Sequence, residues 1–167
     1  MKTLYLAGGC FWGTQHFIDQ FDGVRKTEVG YANGRTENPT YKDVCKNDTG
    51  HAETVKVVFD EKMLPVKELI GYYFLAIDPL SVNKQGEDVG TQYRTGIYYT
   101  DDSLLPEIKE AVNAEERKVG SPLAVELLPL SNFYRAEEYH QDYLVKNPGG
   151  YCHIPKKLME IAKGKKQ

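Results

Sequence analysis

The run Thr3-Leu4-Tyr5-Leu6-Ala7-Gly8-Gly9-Cys10-Phe11-Trp12-Gly13 passes from an apolar strand, through a glycine turn, into an amphipathic helix over 13–21 with Phe17, Ile18 and Phe21 on one face. A strand feeding directly into a helix opens a βαβ unit, so the fold class turns on the elements downstream of that helix. Residues 24–31 read as a second strand, and 52–59 as a third in which Val55, Val57 and Phe59 alternate. A helix over 65–77 comes next, with Pro65 in its first turn, and then a fourth strand over 95–99. Beyond it come a charged surface helix over 103–118, a fifth strand over 124–128 and a last helix over 135–145. The order β-α-β-β-α-β with an added α-β-α predicts an α/β (α+β) fold, a ferredoxin-like split-βαβ mixed sheet with flanking helices.

At 167 residues the chain suits one domain over 1–167, with a flexible segment from about residue 146 and no internal repeat. Two stretches, 32–50 and 78–93, hold too many turn formers for regular structure, and long loops in small domains tend to carry function. Net charge is −3, which offers no field for nucleic acid, and Lys156, Lys157, Lys163, Lys165 and Lys166 read as a solvated tail. The start is too short for a signal segment and no run is long enough to span a bilayer, so a cytoplasmic protein without a membrane partner is expected. In that compartment the Asn47-Asp48-Thr49 acceptor pattern is a chance match.

Cys10 stands where a thiol becomes a nucleophile. The first N–H groups of a helix lack partners and favour thiolate, so the expectation is a lowered pKa; the plainer alternative is a small buried core residue. Phe11 and Trp12, the one tryptophan, form walls suited to an uncharged, soft group, although an aromatic pair at a helix start also serves for core packing. Three cysteines, Cys10, Cys45 and Cys152, leave one unpaired under any single bridge, so a disulfide here reads as transient and catalytic.

The loops supply Tyr41, Cys45, Thr49-Gly50-His51-Ala52-Glu53, and the run from Gln85 through Asp88 to Tyr93-Arg94. Glu53 enters an apolar strand and faces either water or a cleft; in a cleft, desolvation would keep it protonated as an acid. Cys45 and His51 match no common metal spacing, and His51 reads as a turn residue bonded to backbone or to Glu53. His16 and His140 read as surface or interhelical residues. His153 is placed to assist a thiol, against the plainer reading of a tail residue. Cys152, in the flexible Asn147-Pro148-Gly149-Gly150-Tyr151-Cys152, is either a free surface thiol or a resolving partner for Cys10.

These motifs, with Gly30-Tyr31, Asn38-Pro39-Thr40-Tyr41, Gly90-Thr91-Gln92-Tyr93-Arg94 and Gly150-Tyr151-Cys152, together resemble the peptide methionine sulfoxide reductase A family from about residue 4 to 154. The resemblance implies that the Cys10 thiolate attacks the sulfoxide sulfur of the S epimer, free or in proteins, releasing methionine and leaving a sulfenic acid. It implies that Phe11 and Trp12 hold the S-methyl group and that Glu53 protonates the oxygen. Tyr41 and Tyr93 would hydrogen-bond that oxygen, with Asp88 reached through water and His51 nearby among the substrate-binding residues. Cys152 would resolve the sulfenic acid as a Cys10–Cys152 disulfide, reduced by thioredoxin or dithiothreitol with no cofactor and no metal. The chain lacks a further cysteine beyond Cys152 and has Lys46-Asn47 after Cys45, where many members have serine and glycine. Other readings of Cys10 are an acyl-transferase or hydrolase with His51 as base, needing no Cys152, and a binding module that holds a methionine side chain without chemistry.

Overall fold

The computed structural model describes residues 1–46 and 48–164, so Asn47, Lys165, Lys166 and Gln167 lie outside the described residues. The chain opens with β1 (Lys2–Gly8), α1 (Phe11–Ile18), β2 (Val24–Ala32), a short α2 (Tyr41–Lys46) and β3 (Ala52–Phe59). Next come α3 (Val66–Leu75), the two-residue strands β4 (Lys84–Gln85) and β5 (Asp88–Val89), and β6 (Thr95–Tyr99). The last elements are α4 (Leu105–Val119), β7 (Glu126–Pro129), β8 (Phe133–Arg135), α5 (Tyr143–Lys146) and α6 (Lys156–Gly164).

Six strands form one sheet in the order β7-β6-β1-β3-β2-β8. Its central four, β6-β1-β3-β2, are antiparallel throughout, as a split βαβ requires when each crossover helix returns the chain to the end of the sheet where the preceding strand began and another strand lies between the two it joins. α4 then carries the chain to β7, which joins β6 in parallel, while β8 closes the other edge against β2. The mixed sheet expected from the order of elements is therefore present.

The period of two decides which residues meet the helices. Leu4 and Leu6 of β1 pair with Val57 and Val55 of β3, and these join Val29, Tyr31 and Ile97 on the face covered by α1 and α3. The opposite face is thinner, built on Ala7, Ala32, Ala52 and Tyr98 under Tyr5 and Phe133. At one edge the Tyr73 hydroxyl on α3 donates to the Ala7 carbonyl and accepts from the Gly96 N–H, pinning the strand ends that lead into the Cys10 turn.

The third-quarter elements keep to the pattern closely, but the final stretch does not. The helix expected over 135–145 is instead the end of β8, a single turn at Glu138–His140, and the short α5. Phe133 and Tyr134 read more simply as strand residues, and Gly30 leaves room for them: a Cβ there would meet the Phe133 ring at 2.4 Å. The lysine-rich end is also more than a solvated tail. Over its described residues it forms α6, whose Met159 and Ala162 are buried, with Ile154 just before them. Through Ile154, Met159 and Ala162 the described part of the segment beyond residue 150 is packed against the body of the molecule. The loops 32–50 and 78–93 are partly ordered by α2 and by the β4–β5 hairpin.

Candidate active site

Gly9 has φ +84°, a conformation open to glycine, and a Cβ there would lie 2.7 Å from the Gln85 side chain. That turn places Cys10 as the N-cap of α1, 8% exposed, where the Trp12 and Gly13 N–H groups favour its thiolate although its side chain makes no cap hydrogen bond. The expected lowering of its pKa is overturned in this resting state. Burial, then the Glu53 carboxylate, push the Cys10 thiol well up, and the two N–H groups offset only part of that.

Glu53 faces the cleft rather than water. It continues the alternation of Val55, Val57 and Phe59 onto the helix-covered face, opposite Tyr31 in the register, and is 1% exposed. One oxygen, Oε1, accepts the Phe11 N–H at 3.1 Å, while Oε2 is buried without a hydrogen-bond partner among the described residues. Burial pushes the carboxyl up to about 8, further raised by Asp88 and offset by the Phe11 N–H. Below that pH the side chain is chiefly a neutral acid, whose hydroxyl is free to donate into the space beside Cys10.

The two phenols gather at the same place. Tyr93 ends the short turn Thr91–Tyr93 and senses Glu53, Cys45, Asp88 and Cys10. Tyr41 opens α2 with its ring 6.5 Å from that of Phe11 and its hydroxyl beside Cys45. Burial pushes both phenols far up, so each remains a neutral donor. Phe11 is buried against Tyr31, while Trp12 is partly exposed and stacks on Tyr143 at 3.8 Å.

Two residues that matter here escaped the sequence reading. His140 is 1% exposed rather than on a surface; its Nδ1 accepts the Trp12 Nε1–H at 2.9 Å and its ring packs between Phe11 and Tyr41. Glu137 accepts from the Tyr31 hydroxyl at 2.8 Å and the Tyr41 N–H at 2.9 Å, tying the two walls together. Burial raises its pKa, but these hydrogen bonds prevail and hold it below the usual carboxylate value. The adjacent aromatics Phe133 and Tyr134, just ahead of the helix expected over 135–145, were the available signal for a strand. Read as strand, that pair brings Glu137 and His140 back to the site; read as helix, it scatters them.

Across the turn from Glu53, the tail supplies Cys152 and His153. Cys152 is half-buried, its Sγ lying 3.0 Å from where a Cβ at Gly13 would stand. His153 is no solvated tail residue: its Nε2 meets the Gly8 carbonyl at 2.8 Å. Tyr151 donates to Asp88 Oδ2 at 3.1 Å, joining tail to hairpin. His51 is 1% exposed, and its Nε2 meets the Thr36 carbonyl at 2.8 Å, so of its two expected partners it takes backbone rather than Glu53. Cys45 is exposed on α2.

The family model for peptide methionine sulfoxide reductase matches residues 2–167. Peptide methionine sulfoxide reductase MsrA of Clostridium acetobutylicum is 54% identical over 160 residues, 96% of this chain and 99% of that protein. Among solved structures, reduced Mxr1 from Saccharomyces cerevisiae superposes with a TM-score of 0.85 at 42% identity, covering 90% of this chain and 88% of the other. Mxr1 in complex with Trx2 superposes at 0.60 with 27% identity, covering 85% and 84%. The chain belongs to the peptide methionine sulfoxide reductase A family, enzymes that reduce methionine sulfoxide with cysteine thiols.

Proposed function

We propose that the protein reduces the S epimer of methionine sulfoxide, free or in oxidised proteins, through a sulfenic acid on Cys10 and a Cys10–Cys152 disulfide. The observation that carries this reading is the buried, neutral Glu53 with Oε2 unengaged beside the Cys10 turn. As sulfur is attacked, charge builds on the sulfoxide oxygen, and neutral donors already in place stabilise that state more than the ground state. Glu53 donates its proton, and Tyr41 and Tyr93 hydrogen-bond the oxygen. Thiolate, proton and sulfoxide become Cys10 sulfenic acid and methionine.

The raised values of Cys10 and Glu53 belong together, since a negative charge on either disfavours one on the other. The productive form is thiolate beside acid. Phe11 and Trp12 receive the methyl group, Asp88 acts through water, and His51 shapes the wall through its hold on Thr36. A methyl pocket on one side and oxygen donors on the other leave one direction for the rest of the substrate, which supports selection of a single sulfur epimer.

Regeneration needs no cofactor in this reading. Cys152 condenses with the sulfenic acid, and an external dithiol reduces the bridge. The Mxr1–Trx2 complex supports thioredoxin in that role. The reading places the reaction in the cytoplasm; among the described residues no helix is long and apolar enough to cross a membrane. Incubation with each epimer of N-acetyl-methionine sulfoxide and dithiothreitol, with Cys10→Ser alongside, tests the reading. Thioether from the S epimer alone, absent in the variant, is expected; thioether from neither epimer sinks it.

A further inference from the structure

His153 has two ring nitrogens in two different situations. Nε2 lies 2.8 Å from the Gly8 carbonyl, which can only accept, so Nε2 carries the hydrogen. In the neutral ring Nδ1 is then a bare lone pair, and it is buried without a hydrogen-bond partner among the described residues. It lies 3.0 Å from the position a Cβ at Gly13 would occupy, and Cys152 Sγ lies 3.0 Å from that same point. Gly9 gives the ring its other clearance, since a Cβ there would stand 3.1 Å from Nε2. An oriented, unengaged base thus neighbours the thiol that is to become a nucleophile.

The thiol needs one. Burial raises the Cys152 pKa, so near neutral pH it is a thiol, whereas thiol exchange proceeds through thiolate. In the resting structure its S–H is directed toward the Ile154 carbonyl at 3.6 Å, a weak interaction that is given up when the side chain turns toward Cys10, freeing the S–H for Nδ1. Burial also lowers the His153 pKa, which keeps Nδ1 free of a proton near neutral pH. The titratable groups about the ring are Asp88 from the β4–β5 hairpin, Cys10 from the α1 turn, and Cys152 and Tyr151 from its own segment.

We propose that His153 is the proton acceptor for the resolving thiol, held in the required tautomer by the carbonyl of the nucleophile's own turn. The inference rests on the reading of Cys152 as the resolving cysteine. Nδ1 takes the proton from Cys152 Sγ as the S–S bond to Cys10 forms and the S–O bond of the sulfenic acid breaks. The departing hydroxide leaves as water, with the imidazolium returning the proton. The base is thus oriented by a third group, here a backbone oxygen.

The test tracks disulfide formation after one turnover, by rapid mixing with sulfoxide, alkylation of free thiols and mass spectrometry. His153→Gln keeps a donor for the Gly8 carbonyl and removes the base. Near pH 7 it should form the disulfide about tenfold or more slowly, still release one equivalent of methionine, and close the gap as pH rises through the thiol range. A Gln variant as fast as the parent, or slower by the same factor at every pH, overturns the proposal. The parent's own profile is a second check that needs no variant. Its disulfide rate should stay level between about pH 7 and pH 9, whereas a tenfold rise per pH unit across that span contradicts an internal base. Absence of methionine from the parent would instead fault the underlying reading.

Discussion

The two sides of the Cys10 turn are built differently. On the Glu53 side, the nucleophile, the acid and the apolar walls hang from the sheet or the first turn of α1: Glu53 in the β3 ladder, Phe11 and Trp12 on the helix, Cys10 at its cap, with Tyr41 and Tyr93 brought in from short helical turns. On the Cys152 side, the reacting group sits in irregular backbone tied down by isolated contacts, Tyr151 to Asp88 and His153 to Gly8. The first arrangement suits a step that demands preorganised donors; the second suits a thiol that must approach, bond and then be exposed to a reductant. Substitutions on the two sides should therefore fail in different ways.

The sharpest contrast is between the cysteines. Cys10→Ser should reduce methionine formation below detection, whereas Cys152→Ser should release one equivalent per enzyme and then stop with thioredoxin, read by product chromatography. Next in size is Glu53→Ala, expected to slow the sulfoxide step by about 10²- to 10⁴-fold as a full acid contribution is removed. Glu53→Gln should retain much of the rate because an amide still donates a hydrogen bond while solvent delivers the proton; a loss beyond about a thousandfold would show that direct proton transfer from Glu53 is indispensable. The acid form is lost as pH rises through about 8, so the parent's first-step rate should fall across that pH and the Gln variant's should not.

Stability separates the sides further. Leu6→Ala, at a fully buried sheet position, should cost about 2–5 kcal/mol of global stability in denaturant melts. Ile154→Ala, also buried, should leave the main transition nearly unmoved and speed hydrogen exchange in α6 and the tail, as expected where local opening is the lower-energy event. A drop in the global transition as large as that of Leu6→Ala would show that the tail unfolds together with the core it packs against. The smallest effect is expected for His140→Phe, which removes the Trp12 hydrogen bond: about 1 kcal/mol, a KM rise of about fivefold with kcat little changed.

The same contrast governs how much could be read without coordinates. The strands over 52–59 and 95–99 coincide with β3 and β6 because alternation and burial say the same thing there. Glu53 was legible as a residue but not in its orientation until the register placed it under the helices. The Cys10 turn was legible, yet the sign of its pKa shift was not, because the helix N-terminus is local whereas burial and Glu53 are tertiary. Past residue 130 the pattern fails. Tyr134, Arg135 and Glu138 are compatible with a helix, and only contact with Gly30 and Tyr31 makes that stretch an edge strand and a turn. Glu137 and His140 were lost with it, since each acts through partners more than ninety residues away in the chain, whereas His153 was legible beside Cys152 but its hold on Gly8 was not.

The central claim is that the sheet-borne side completes sulfoxide reduction without the tail's thiol. Cys152→Ser mixed in single turnover with each sulfoxide epimer, with methionine quantified and Cys10 probed for sulfenic acid, tests it most directly. One equivalent of methionine from the S epimer, at the parent's rate and with a trapped sulfenic acid on Cys10, is the predicted result. Release of no methionine would mean that the two sides are one machine and contradict the account.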